Sequence, residues 1–418
     1  MGIEDQLLAD GISKGSKWDI NAKGRYFPTY NNAMLFLEAS SFKIRWNDFA
    51  GIIEINGKKY QDNDSIIIKE AMRKQRLEVS LKTIDEAVIS IGLKNQYHPV
   101  KDYINNLTWD GLPRTKTWLH DLCGAEDTPY NSFIGRLILV SSIKRIFEPG
   151  CKYDTMIILE GEQGIGKSRL CHVLGGDWYK AVGLSDRDHN TVQLMQGGWF
   201  IEVPELAVFA KRDIESLKAF ISNPVDMVRF AFGRTDGVYP RQSVFIGTIN
   251  PEANGYLMDS TGNRRFMPVT LKTINIDKIK ELRDQLFAEA MYLYREGFEV
   301  FIKTEEMNNF ARAQQAQREY HDDWSTLISN YININRLDTG MKMTCLDVYT
   351  KILQGKAEQY DQRTGRRIAN ILRKLGCPEP IHTRVNDIQG KYFDMSILIK
   401  STLGNEKDHD VGWKDGNE

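Results

Sequence analysis

The chain has 418 residues, 41% hydrophobic and 27% charged, with a formal net charge of −1. That length allows two or three domains with cores of their own, and a charge so close to zero means that any basic surface for nucleic acid must be local. No apolar run approaches the roughly 18 residues of a membrane span, and the five cysteines form no CxxC pair. Together these features read as a cytoplasmic protein with reduced thiols, no zinc site and no membrane partner.

In chain order, residues 1–95 predict a small mixed α/β domain, with a polar start up to about residue 25. A helix begins near Asn31, and Asn56-Gly57 marks a hairpin turn. Helical patterns follow over Ser65–Gln75 and Leu81–Ile91. Asp62 and Asp64 have the spacing of a metal-binding pair, but acidic residues just before a helical run read first as caps. Residues 96–150 read as a helical collar or linker, 151–305 as alternating strands and helices, and 306–400 as helices ending in a hairpin. The polar stretch 401–418 reads as a disordered tail.

Chemistry concentrates in 151–305. Gly161-Glu162-Gln163-Gly164-Ile165-Gly166-Lys167-Ser168 fits G-x-x-x-x-G-K-[ST], the P-loop. It follows a buried-strand pattern ending at Leu159 and opens a helix through Arg169. Backbone N–H groups of such a loop cradle the phosphates of ATP, Lys167 neutralises phosphate oxygens, and Ser168 ligates Mg2+. Thirty-five residues beyond Lys167, an apolar strand ends in Glu202-Val203-Pro204-Glu205. One of these two carboxylates is expected to hold the metal and the other to activate water, with the assignment open. A further strand, Ser243–Asn250, ends in an amide suited to sensing the terminal phosphate. Arg264 and Arg265, after Gly262-Asn263, are candidates for an arginine finger reaching the nucleotide of a neighbouring subunit, either one being eligible.

The order of these motifs resembles the superfamily 3 helicases. More closely, the chain resembles the virulence-associated protein E family of phages, prophages and genomic islands. The resemblance rests on His98-Pro99-Val100, Trp109-Asp110-Gly111, Glu148–Asp154, Gly161–Ser168, Trp199–Leu206, Pro240-Arg241-Gln242 with Phe245–Asn250, and Gly262–Phe266. It implies an α/β, AAA-plus-like three-layer P-loop core with a helical N-terminal region and a C-terminal winged-helix-like domain. It implies an ATP-dependent DNA helicase that assembles as a ring, taken as a hexamer, in a bacterial host cell. The N-terminal ~95 residues are too few for the primase many relatives carry, so a separate primase or replication protein is an expected partner.

In ring helicases of this class a pore hairpin lies between the Glu-bearing and Asn-bearing strands. The stretch Val228–Tyr239 corresponds, and Arg229 and Arg234 are its candidate contacts to single-stranded DNA, with simple packing as the alternative. Lys218, on the preceding helix, fits either DNA or a salt bridge. Between Asp361 and Lys391 lie seven basic and three acidic residues, and a helical stripe at Ile368, Ile371, Leu372 and Leu375 leaves Arg366, Arg367 and Arg373 outward. That face suits a DNA groove, such as an origin duplex, or solvent alone. The rival reading is an ATP-dependent switch or loader that assembles on a protein partner without unwinding DNA. A small-molecule kinase is disfavoured, because it needs a mobile Arg-rich lid rather than paired Glu and Asn strands.

Overall fold

Thr29 sits in extended geometry and accepts the Asn32 amide on its side chain, which starts α1 (Tyr30–Ala39). β1 (Ile44–Asn47) and β2 (Ile52–Ile55) pair antiparallel. Asn56 and Gly57, both at positive φ, turn β2 into β3 (Lys58–Lys59), the expected hairpin. In α2 (Asp62–Lys74) both aspartates lie in the first turn, and Asp64 accepts the Gln61 backbone N–H at 2.8 Å, so the pair caps the helix. α3 (Leu81–Lys94) is capped by Ser80, and β4 (Gln96–Tyr97) joins β1 in parallel to complete a sheet of order β3-β2-β1-β4. Leu37, Ile53, Ile68, Met72 and Val88 fill the core of this N-terminal domain.

The computed structural model describes residues 18–395, apart from 184–188, 205–210, 229–236, 251–255, 258–262, 319–321, 336–341 and 386–387. It divides into two compact units, residues 1–252 with 258–317, and residues 253–257 with 318–418.

α4 (Pro99–Asn105) and α5 (Trp118–Cys123) lead into α6 (Pro129–Phe147), whose Thr128 cap accepts the Asn131 amide. α6 is buried nearly all round, including Ser141, Ser142 and Arg145. A helix apolar on most sides belongs inside. The stretch read as a collar or linker therefore supplies a layer of the core.

The remaining elements of the first unit are β5 (Met156–Glu160), α7 (Lys167–Gly175), β6 (Tyr179–Ala181), α8 (His189–Met195) and β7 (Phe200–Val203). They continue with α9 (Lys211–Ser222), the hairpin strands β8 (Val225–Val228) and β9 (Gly237–Pro240), β10 (Val244–Ile249), β11 (Phe266–Thr270), α10 (Ile276–Arg295) and α11 (Glu305–Ala316). Five strands form one sheet, β11-β5-β10-β7-β6, parallel throughout. Ile157, Leu159, Val244, Ile246, Met267 and Val269 share one core with side chains of α6, α7 and α10. Phe245, on the other face, meets Phe220 of α9. Helices thus cover both faces, which is why these strands are apolar in both alternating positions. α11 belongs here rather than with the C-terminal residues. Ala311 is buried in the same core, and Gln315 Nε2 donates to the Phe266 carbonyl at 3.0 Å.

The second unit has its own core of Ile328, Met343, Val348, Ile368, Ile371, Leu372 and Phe393. α12 (Asp323–Asn335) and β12 (Lys342–Met343) are followed by helical turns that include a π-helical Val348–Ile352. α13 (Gln362–Lys374) precedes the antiparallel hairpin of β13 (Ile381–Val385) and β14 (Ile388–Asp394), with β12 on the other side of β14. Among the described residues no helix is long and apolar enough to cross a membrane.

One buried carboxylate ties the segment before α5 to α10. Glu289, 4% exposed, accepts the backbone N–H of Arg114 and Thr115 at 2.6 and 2.9 Å and the Thr115 hydroxyl at 2.7 Å. Glu289→Ala leaves the buried N–H of Thr115 and the part-buried N–H of Arg114 unmet and is expected to lower stability by about 3 kcal/mol in urea unfolding. A loss below about 0.5 kcal/mol would show that water meets those groups instead.

Candidate functional site

β5 ends in Glu160, and the chain then has six residues in which to turn before α7 begins. Gly161 is required by space, because a Cβ there would lie 2.5 Å from the Leu271 carbonyl oxygen. Gly166 is required by conformation: it precedes α7 at φ 104°, and its carbonyl accepts the Leu170 amide. The first N–H groups of α7 have no partner within the helix, so the positive helix end faces the glycine loop.

Lys167 is 8% exposed, and its ammonium donates to the carbonyls of Gly161 at 2.6 Å and Glu162 at 2.8 Å, and to Asn250 Oδ1 at 3.0 Å. Burial pushes its pKa down. The three donors of one ammonium thus bind the loop to the end of β10.

Next to it lies a buried carboxylate with hydroxyl partners. Glu202 is 1% exposed, and its Oε1 accepts from Ser168 Oγ and Thr248 Oγ1, each at 2.7 Å. Its Oε2 accepts from the Tyr179 hydroxyl at 2.5 Å. Burial and the adjacent Glu202 both raise the Tyr179 phenol pKa, so the tyrosine remains a donor. Strand register brings these groups together. Glu202 pairs with Ile246 on β10, which puts Thr248 two residues further on along the same face. Glu160, 3% exposed, has a comparable setting and accepts the Thr270 hydroxyl at 2.7 Å. Tyr179 and Glu160 were not among the residues singled out from sequence, and Thr248 entered only as part of Phe245–Asn250, with no role of its own. Thr248 carried a usable signal, a polar residue two before Asn250 in an otherwise apolar strand.

The exposed Ser168 and the adjacent Glu202 Oε1 offer hard oxygen donors suited to Mg2+. Among the described residues no group of three His, Cys, Asp or Glu side chains could hold a metal by itself. A cation here would draw further ligands from phosphate and water, the habit of Mg2+ rather than of zinc.

The arginine pair lies at the other end of the sheet. Phe266 pairs with Met156, so Arg264 and Arg265 sit where β5 and β11 begin, while the glycine loop sits where β5 ends. The two arginines also differ. Arg265 Nε donates to Ser222 Oγ at 2.8 Å and lies 3.7 Å from Asp154, whereas Arg264 is exposed.

Among the proposed DNA contacts, Lys218 is 7% exposed and enclosed in its own unit, which removes it as a surface contact. Arg229, Arg234 and Glu205 lie outside the described residues. In the second unit, Arg367 holds both oxygens of Asp322, at 2.8 and 2.7 Å, and stacks on Trp324 with its guanidinium carbon 3.9 Å from the ring centre. Arg373 holds both oxygens of Glu379, at 2.8 and 3.0 Å. Arg366 is exposed beside a groove of about 800 Å3 that Tyr360 and Asn370 also line.

Thr248→Val keeps shape but takes one donor from Glu202. The expected result is a loss of roughly 1.5–3 kcal/mol in urea unfolding, with Thr248→Ser recovering most of it. An unchanged midpoint would mean that Ser168 and Tyr179 satisfy the carboxylate alone.

The family model of the virulence-associated protein E-like domain matches residues 104–320, a span that contains the glycine loop, Glu202, Asn250 and both arginines. Similar solved structures include the apo C-terminal region of NrS-1, residues 305–718. It is 12% identical, with 84% of this chain and 96% of that chain covered at a TM-score of 0.49. An A-form apo structure of the same region is 11% identical over the same shares, at 0.45. None of the curated proteins compared with the chain matches it.

Proposed function

The chain belongs to the virulence-associated protein E-like family, and we propose that it is an ATP-hydrolysing motor acting on DNA during replication of a phage, prophage or genomic island. One observation carries this reading: Lys167 is bonded to Asn250 and the adjacent Ser168 to Glu202, at the carboxyl ends of three adjacent parallel strands. Ligands of open α/β sheets bind at that edge. In this reading Gly161–Gly166 is a P-loop, and its N–H groups with Lys167 hold the phosphates of ATP. Ser168 and Glu202 would hold Mg2+, which supplies charge neutralisation at the phosphates. Glu202 suits the metal role, because its carboxylate is buried beside Ser168. Activation of water then falls to Glu205. Asn250, bonded to the lysine that meets the phosphates, suits the part of a sensor.

The distribution of arginines supports assembly as a ring. Five residues of β11 separate Arg264 from the strand ends that carry the loop, about 16 Å of extended chain, so Arg264 suits the nucleotide of a neighbouring copy rather than its own. Arg265, bound to Ser222 and Asp154, suits holding that turn in place. The helix–strand–helix–hairpin order of the second unit supports a winged-helix-like reading, with exposed Arg366 as its foremost candidate phosphate contact.

Lys167→Ala is expected to reduce ATP turnover more than 100-fold, on the scale set by removing a charge that meets the transferred phosphate. Turnover measured with and without single-stranded DNA separates the two main readings. Stimulation by DNA that vanishes with Lys167 supports the motor. Turnover indifferent to DNA favours a switch or loader on a protein partner, and full activity in the variant sinks the site itself.

The arginines are expected to part company. Arg264→Ala keeps the wild-type melting temperature and loses at least roughly tenfold in turnover. Arg265→Ala lowers stability by about 1 kcal/mol through its lost bond to Ser222. Unchanged turnover in Arg264→Ala would remove it as a finger.

A further inference from the structure

At the edge of the sheet opposite the glycine loop, the first unit has a cleft of about 420 Å3. It borders Gly198, two residues before β7, and Ser243, directly before β10. Its walls come chiefly from four distant segments: the β1–β2 turn, the start of α4, the end of α8 with the turn into β7, and the end of β9 with the chain joining it to β10. Trp46, Phe49 and Tyr239 give it aromatic surface, and Lys101, Gln196 and Gln242 give it polar groups.

The two amides have fixed orientations. His98 Nδ1 accepts the Lys101 backbone N–H at 3.2 Å, so a neutral ring carries its proton on Nε2, which donates to Gln242 Oε1 at 2.7 Å. Burial lowers the His98 pKa and keeps the ring neutral. Gln242 therefore has its amide N–H groups left to offer. Gln196 is set the other way, since its Nε2 donates to the Ala50 carbonyl and its Oε1 is left as an acceptor. Charge in the cleft is balanced. Asp48 and Lys101 both line it, and Arg241 is held by Asp226 through two hydrogen bonds. A bare phosphate finds no net positive field there. An uncharged planar ring, with a face for stacking and an edge carrying donor and acceptor, matches every feature.

We infer that this cleft binds a single nucleobase, with Gln242 donating to its edge, Gln196 accepting from it, and Trp46 against its face. The base belongs either to a free nucleoside or to a DNA strand at the root of the β8–β9 hairpin. The strand as source rests on the DNA-motor reading; the pocket itself does not.

The test follows tryptophan emission of the full chain during titration with deoxycytidine, with a short oligo-deoxycytidine, and with an abasic oligomer of equal length. Deoxycytidine lacks the phosphates that the Lys167 site is built to hold. Saturable quenching is expected, absent in Trp46→Phe and shifted to roughly tenfold weaker affinity in Gln242→Glu. The glutamate still accepts from His98 but no longer donates into the cleft, and circular dichroism checks that the fold is kept. Quenching by the nucleoside itself assigns a free-nucleoside site. Quenching by the oligomer alone, and not by its abasic form, assigns a base of the strand. No quenching by any of the three, or quenching unaltered in both variants, overturns the inference. Loss of DNA-stimulated ATP turnover with quenching intact would instead bring down the motor reading and leave the cleft standing.

Discussion

The parallel register of β5, β10 and β7 is the constraint on which the rest of the first unit depends. Parallel strands need crossover connections, and their helices bury both faces of the sheet, so nearly every residue of these strands must be apolar. The polar exceptions are few: Glu160, Glu202 and Thr248. Buried polar groups persist only where they meet one another, and here they do so through Thr270, Tyr179 and Ser168. Because the strands run the same way, these exceptions gather at one edge.

The same register gives the sheet a second, differently built edge. Where β10 begins, Arg241 is fully buried against Asp226, the Phe220 carbonyl and the rings of Phe220 and Phe245. Its backbone is held as well, donating to the Pro224 carbonyl and accepting from Gly150. A buried ion pair of this kind is weak evidence for stability and better understood as fixing register. The register concerned is that of β8 against β9, since Asp226 lies on one strand and Arg241 directly follows the other. One rigid strand, β10, therefore has Thr248 and Asn250 at one end and the root of the hairpin at the other.

Legibility in the sequence followed the range of the interactions. The strand, six-residue loop and helix start around Gly161–Ser168 were readable because that geometry is local. Glu202 and Asn250 were readable as polar ends of apolar runs. Tyr179 was not, because its reason for being there is a carboxylate on the neighbouring strand. The choice between Arg264 and Arg265 could not be made from two adjacent letters. Asp154, which engages Arg265, becomes its neighbour only once β11 lies beside β5. Lys218 fitted either DNA or a salt bridge in sequence, and its burial goes against the DNA contact. α6 misled in the opposite sense: its apolar residues on all sides signalled an inner helix, while its position before the α/β segment suggested a connector.

Charge counting in the C-terminal unit shows the limit of composition as a guide to partners. The excess of basic residues around α13 is real in sequence, but Asp322 and Glu379 engage Arg367 and Arg373 in two-bond pairs. Asp322 lies 45 residues from its partner and outside the window in which the excess was counted. A phosphate approaching Arg367 must displace a carboxylate already in place and a guanidinium stacked on Trp324. Arg366, exposed at the groove with Tyr360 beside it, faces neither cost. Two of the seven basic residues counted in that window are thereby committed to carboxylates.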